Sequence, residues 1–364
     1  MQSFEEDTLS LLKDKFEKKE ISKRDFLKSC LIIGGGLAVS SLGVGKAMAQ
    51  TRMTLANNGG DAIRVFSEAW TKPFEKASGI GVDIDGTSPL VGTVKKMVDD
   101  NNVHWDVFDG DGFYAPMLGG GYLEAIDYTV VNPNGFYDWN KFEFGAGSYV
   151  YSIVMAYDTN KLKTAPQNWV DFFDLEKFPG KRAMYKWFLG MPEACMMGAG
   201  KKPEDVYPID MDLVFKMVES LGDNLVLWDT GAASQQLFLD EEIVMGTLWN
   251  TRATSLSRDT NNRVVWTWDQ QIVVPGVFAI PKGARNAAAA QRFIAYTQDV
   301  KSQIKMLDLM GNGPANPAAV DFLTPAQAKL NPTSHLDKAV VRNEVWYAKN
   351  LDKELGNWLD AISG

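Results

Sequence analysis

At 364 residues the chain is long enough for two domains on the usual scale of about 100–200 residues each. Its apolar share of 45% and charged share of 23% exclude a disordered polymer and a bundle of membrane spans. A formal net charge of −9 argues against nucleic acid or anionic lipid as partner and mildly favours cationic ligands, although solubility alone also explains an acidic surface.

Residues 1–20 are polar and charged, and Ser22-Lys23-Arg24-Asp25-Phe26-Leu27-Lys28 follows. The apolar run Leu31–Val44 is shorter than the roughly 20 residues a membrane-spanning helix needs. Ala47-Met48-Ala49 before Gln50 fits the small-x-small rule for signal peptidase. We expect residues 1–49 to be an export signal, cleaved near Ala49-Gln50. Its heptad resembles a twin-arginine signal with Lys23 in place of the first Arg. Cys30 precedes the apolar run, so it is not placed as a lipid anchor. Without residues 1–49, Cys195 is alone and no internal disulfide is possible. With only His104 and His335, no zinc-type spacing and no Ser/His/Asp or Cys/His dyad is visible.

From Arg52 onward strands and helices alternate. Met53–Ala56 reads as a strand and Asn57–Gly60 as a turn, with Asp61 able to cap a helix over Ala62–Ala77. Ile80–Ile84 and Trp105–Phe108 are the next strands, separated by the helix Leu90–Val98; Phe113–Leu118 is a short helix closed by three glycines. This alternation predicts a parallel sheet covered on both faces, with ligands at the carboxyl ends of its strands. The loops Asn57–Asp61, Gly86–Ser88 and Asp109–Tyr114 are therefore pocket candidates.

Tyr149–Ala156 is a buried strand that crosses outward to a second unit of the same alternation: strands Arg182–Phe188, Leu225–Trp228 and Ile243–Trp249, with helices from Pro192, over Asp212–Leu221 and from Ser234. Gln271–Val274 and Val277–Ile280 read as two short strands broken by Pro275-Gly276, forming the return crossing. Asn286 caps a helix with Ala290, Phe293, Ile294 and Thr297 on its apolar side. Gly311–Pro317 marks another change of lobe, and the C-terminal helices around Asn343–Ile362 are expected to pack on the second lobe.

Asp109-Gly110-Asp111-Gly112 begins like a calcium loop, but the twelfth position is Gly120 where a Glu is needed. The stretch is either a solvated turn or a pocket edge; the strand end favours the pocket. Trp249 at a strand end suits an ammonium group through cation–π attraction, whereas Trp266 and Trp268 are also explained by core packing.

Four segments carry a resemblance: Pro73–Ile84, Met245–Ala253, the block from Val277 to Tyr296, and Gly311–Leu323. Together they resemble bacterial spermidine/putrescine-type periplasmic solute-binding proteins, the receptors of ABC importers. That resemblance implies a two-lobed α/β fold of the type II periplasmic binding proteins. Each lobe would be a mostly parallel sheet flanked by helices, joined by hinge strands. It further implies a monomer without cofactor or metal, ligand capture by hinge closure, and an ABC permease as partner. Residues 50–150 with 272–310 form lobe 1 on this reading, and 151–271 with 311–364 form lobe 2.

Three positions depart from the family. Arg252 stands where the relatives place an amine-binding Asp, Gly276 where they place a second acid, and Asn312 where they place a Tyr. Burying a di-cation without paired acids costs several kcal/mol per charge. Arg252 instead suits a carboxylate through bidentate hydrogen bonds, unless it makes a structural ion pair; Glu193, Asp61 or Asp111 would hold an amine. The expected ligand is thus an amine-bearing solute, with an amino-alkyl carboxylate such as a γ-amino acid or an opine-like compound as one form. Ser88, Asp109, Tyr114, Ser234, Trp249, Asn250 and Trp268 complete the candidate ligand-binding set with Gly276 and Asn312. The competing classes are an enzyme using Asp109 and Asp111 as acid and base, an organic-anion receptor, and a ferric-ion receptor. The last typically uses adjacent tyrosines, and no Tyr-Tyr pair occurs.

Overall fold

The computed structural model describes residues 51–363, with Lys18 alone from the first 50; the expected signal segment and Cys30 lie outside the described residues. Strand β1 (Arg52–Ala56) leads into α1 (Asp61–Phe66), which continues through a π-turn at Ser67–Thr71 into α2 (Lys72–Ser78). Then follow β2 (Gly81–Asp85), α3 (Val91–Asp99), β3 (Val107–Asp111) and α4 (Tyr114–Tyr122). A short β4 (Lys141–Phe142) precedes the long β5 (Gly145–Asp158).

The second series comprises α5 (Trp169–Phe173), β6 (Arg182–Tyr185), α6 (Met191–Gly198), α7 (Met211–Glu219), β7 (Leu225–Trp228), α8 (Gly231–Leu239), β8 (Met245–Trp249) and α9 (Asn250–Asp259). The long β9 (Val264–Ala279) returns, followed by α10 (Ala287–Thr297), α11 (Val300–Met310), β10 (Gly313–Pro314), β11 (Val340–Val341) and α13 (Glu344–Ala361), with a short α12 (Pro325–Leu330) before β11.

Strands run in the order β2-β1-β3-β9-β5-β8-β6-β7. Within each half the strands are parallel: β2, β1 and β3 on one side, β8, β6 and β7 on the other. The antiparallel pair β5 and β9 runs through the middle and belongs to both halves. Its run Gln271–Ala279 is buried throughout, which fits a strand covered on both faces. One half is built on Trp70, packed edge-on against Phe66 at 4.8 Å and Phe278 at 5.2 Å. The other is built on Phe172, Phe188 and Trp358 with the methionines of α6.

The expected break at Pro275-Gly276 is not there: β9 is one continuous strand. Pro275 is tolerated because β5 carries one extra residue between Gly147 and Val150, which shifts the register opposite the proline. The larger irregularity is further back, where β9 has three extra residues between its pairings with Ile153 and Met155. There Gln270 adopts φ 58°, its backbone carbonyl accepts from Trp169 Nε1 at 2.9 Å, and its Oε1 accepts from the Trp169 amide at 3.0 Å.

Two expected caps are also corrected. Asp61 is the first residue of its helix and pairs with Arg64 instead of capping from outside. Asn286 precedes α10 as expected, but its side chain donates to the Arg52 carbonyl and to Asp106, tying the helix start to β1. The C-terminal α13 packs on both α7 and α4, so it spans the two halves and is not confined to the second.

Candidate functional site

The carboxyl ends of the parallel strands of both halves face one cavity of about 480 Å³. From the first half come the loop after β1 with Asp61, Pro89 after β2, and Asp109, Asp111 and Tyr114 at the junction of β3 and α4. From the second come Tyr185 at the end of β6 and Leu189 beyond it, and Trp249, Thr251 and Arg252 where β8 turns into α9. Tyr149, Tyr151 and Ile153 of the crossing strand form the floor, spaced two apart so that they share a face.

The acidic wall is buried. Asp109 is 1% exposed; its Oδ1 accepts from Ser148 Oγ at 3.3 Å and its Oδ2 from Tyr149 Oη at 3.0 Å. Burial pushes its carboxyl up to about 8; the two hydroxyls oppose this and the neighbouring Asp111 charge adds to it. Asp111 Oδ1 accepts from Tyr151 Oη at 2.9 Å. Behind it the fully buried Arg342 approaches Oδ2 at 4.0 Å and grips Glu344 with two hydrogen bonds of 2.8 and 2.9 Å. Burial likewise raises the Glu344 carboxyl to about 7, with Arg342 pulling it down.

Across the cavity, Arg252 is exposed, and among the described residues its guanidinium has no hydrogen-bond or ion-pair partner. Asp61 is held by Arg64 through bonds of 2.8 and 2.9 Å, which lower its carboxyl pKa, and the charge of Arg252 contributes to the same shift. An acidic, tyrosine-lined wall therefore faces a free guanidinium. Such a cleft is complementary to a molecule with a cation at one end and a carboxylate at the other.

Of the expected residues, Asp61, Asp109, Asp111, Tyr114, Trp249, Arg252 and Asn312 line this cavity. Six do not. Ser88 is exposed and outside the lining, whereas its buried neighbour Pro89 is part of it. Glu193 is buried in α6, its carboxylate accepting from the hydroxyls of Tyr207 and Tyr347, so it is a core carboxyl with no open side for an amine. Ser234 donates to the Gly231 carbonyl at 2.8 Å within its own helix. Asn250 accepts from the Ser152 amide at 2.9 Å and donates to the Gly311 carbonyl at 3.0 Å, which ties β5, α9 and the Gly311 loop together. Trp268 stacks on His335 at 5.1 Å and donates to the Lys329 carbonyl, away from the cavity. Gly276 lies under Tyr149: a Cβ there would stand 2.8 Å from the tyrosine ring and 2.9 Å from Ser148 Oγ, so no acid fits.

Tyr149, Tyr151, Tyr185 and Leu189 were not anticipated. The signal for the first two was present in the i, i+2 placement of tyrosines within an otherwise aliphatic strand, Tyr149-Val150-Tyr151-Ser152-Ile153. Among the described residues no group of three or more His, Cys, Asp or Glu side chains is placed to hold a metal ion.

The family of bacterial extracellular solute-binding proteins matches residues 69–333. The chain belongs to that family. A curated relative, the gamma-aminobutyric acid-binding protein of Pseudomonas aeruginosa, is 29% identical over 329 residues, 86% of this chain and 92% of that protein. The solved structure of the Atu4243 GABA receptor superposes with a TM-score of 0.81 at 31% identity, over 86% of this chain and 98% of that one. The periplasmic binding protein AgtB of A. tumefaciens R10, solved with agropinic acid, gives 0.74 at 26% identity over 86% and 99%. The two-lobed α/β architecture of periplasmic binding proteins is thus the fold of this chain.

Proposed function

We propose that the protein is the periplasmic substrate-binding component of an ABC importer and captures a small amino-alkyl carboxylate, a γ-amino acid or an opine-like compound, between its lobes. The observation that carries this reading is the Arg252 guanidinium, without a hydrogen-bond or ion-pair partner among the described residues, opposite the Asp109–Asp111 wall. Arg252 takes the carboxylate; Asp111, Tyr151 and the field of Asp109 take the amine. Relatives whose names record GABA and agropinic acid as ligands support the same class.

The lobes in this reading are residues 50–150 with 272–310 and residues 151–271 with 311–364, closing about β5 and β9. Residues 1–49 are the export signal, and the receptor works as a monomer against its permease. The polyamine reading is disfavoured by a cation at position 252 and by the lack of room for an acid at Gly276.

The test is a thermal-shift panel followed by calorimetry on the exported form, with γ-amino acids, opines, putrescine and plain carboxylates. We expect saturable stabilisation by the amino-alkyl carboxylates, no product, and little response to putrescine. Arg252→Gln should weaken carboxylate ligands by about 10- to 100-fold. Tight putrescine binding unaffected by Arg252→Gln would overturn the proposal, and turnover of any ligand would restore the enzyme reading.

A further inference from the structure

The amine end of the cleft offers a positive group much negative field and few open acceptors. Asp109 accepts one hydrogen bond on each oxygen and is almost sealed from solvent. Asp111 has one oxygen taken by Tyr151 and the other turned toward Arg342. What faces the cavity in front of these carboxylates is aromatic: Tyr114, Tyr149 and Tyr151 on one side, Tyr185 and Trp249 on the other. Tyr185 and Trp249 meet edge to face at 5.7 Å, with Trp228 packed behind both at 4.5 and 5.3 Å. Tyr114 and Tyr185, on opposite halves, lie close enough for Tyr185 to disfavour ionisation of the Tyr114 phenol.

A primary ammonium carries three N–H donors and requires acceptors for them. An alkylated ammonium has fewer or none, and gains from aromatic surface and from a negative field that need not touch it. The cavity of about 480 Å³ has room for the added groups.

We propose that the amine subsite is an aromatic cage for an N-alkylated ammonium, so that the ligand is a short carboxylate bearing a secondary to quaternary amine. This rests on the reading of Arg252 and the acidic wall given above and specifies the amine that wall accepts.

Calorimetry with 4-aminobutyrate, 4-(methylamino)butyrate and 4-(trimethylammonio)butyrate tests it on the intact receptor. The methylated ligands are expected to bind as tightly as the primary amine or more tightly. A loss of about tenfold or more on trimethylation overturns the cage. Tyr185→Leu should cost the trimethylated ligand about tenfold more than the primary amine, with Tyr185→Phe restoring most of that difference. Equal losses for the two ligands overturn the proposal. Should Tyr185→Leu fail to fold, Trp249→Leu reads the same difference, and the ligand series needs no variant. If none of the three ligands binds, the amino-alkyl carboxylate reading itself falls; if only 4-aminobutyrate binds, that reading stands and the cage does not.

Discussion

Burial holds the Asp109 carboxyl up to about 8, against the hydrogen bonds from Tyr149 and Ser148, so Asp109 keeps a proton at neutral pH until a cation stands beside it. A folded pKa above the unfolded value of about 3.9 contributes stability that is present below pH 4 and lost as pH rises toward 8. Glu344, raised to about 7, has the same sign. A ligand cation beside the wall favours the carboxylate, so binding should expel the proton and tighten from pH 6 to 8, by at most about tenfold per unit, then flatten. Calorimetry in buffers of different ionisation enthalpy would show proton release near pH 7, and Asp109→Asn should abolish both the release and the slope. A flat affinity profile in the unaltered protein would refute this. The two aspartates were legible because they end a strand in an α/β alternation, as were Trp249 and Arg252. Glu193 was misread because sequence shows an acid but not the tyrosines at 207 and 347 that enclose it.

At the scale of elements, alternation of strand and helix was readable from Arg52 to Trp249, since each segment has its own apolar period. The crossing strand β9 was not. Pro275 carries a local signal for a break, but the compensating extra residue sits on β5, more than a hundred positions away. Its buried polar residue, Gln271, accepts from Ser152 Oγ at 2.7 Å and donates to the carbonyls of Pro332 at 3.0 Å and His335 at 2.6 Å. One side chain thus binds both crossing strands to the segment after α12. Gln271→Met keeps most of the volume and leaves these groups unpaired, which costs about 1–3 kcal/mol for each one left without water. We expect a loss of roughly 2–4 kcal/mol in urea unfolding, nearly as large as for Gln271→Ala. If the Met variant is close to neutral, packing and not hydrogen bonding holds the strap.

Across the whole molecule, the two cores are separate in composition but share one seam. Phe113, from the β3–α4 junction of the first half, is buried in the core of the second, beside Val340, Tyr347 and Trp358. Arg342 lies over the ring of Phe113 at 5.7 Å and over that of Tyr347 at 4.9 Å, with Glu344 paired to it and Asp111 behind. The seam therefore places a buried ion pair between the ligand wall and the helix that spans both halves. A buried pair contributes little net stability, because desolvating both charges offsets most of their attraction; breaking one side is what costs. Arg342→Met alone should lose about 3–5 kcal/mol, as Glu344 and Asp111 are left facing each other. Arg342→Met with Glu344→Met should recover most of that loss and fold. The unfolding midpoint of the double variant should return toward that of the parent, measured by urea or thermal unfolding. A double variant as unstable as the single one would mean that Arg342 serves through its contacts with Phe113 and Tyr347 and not through its charge.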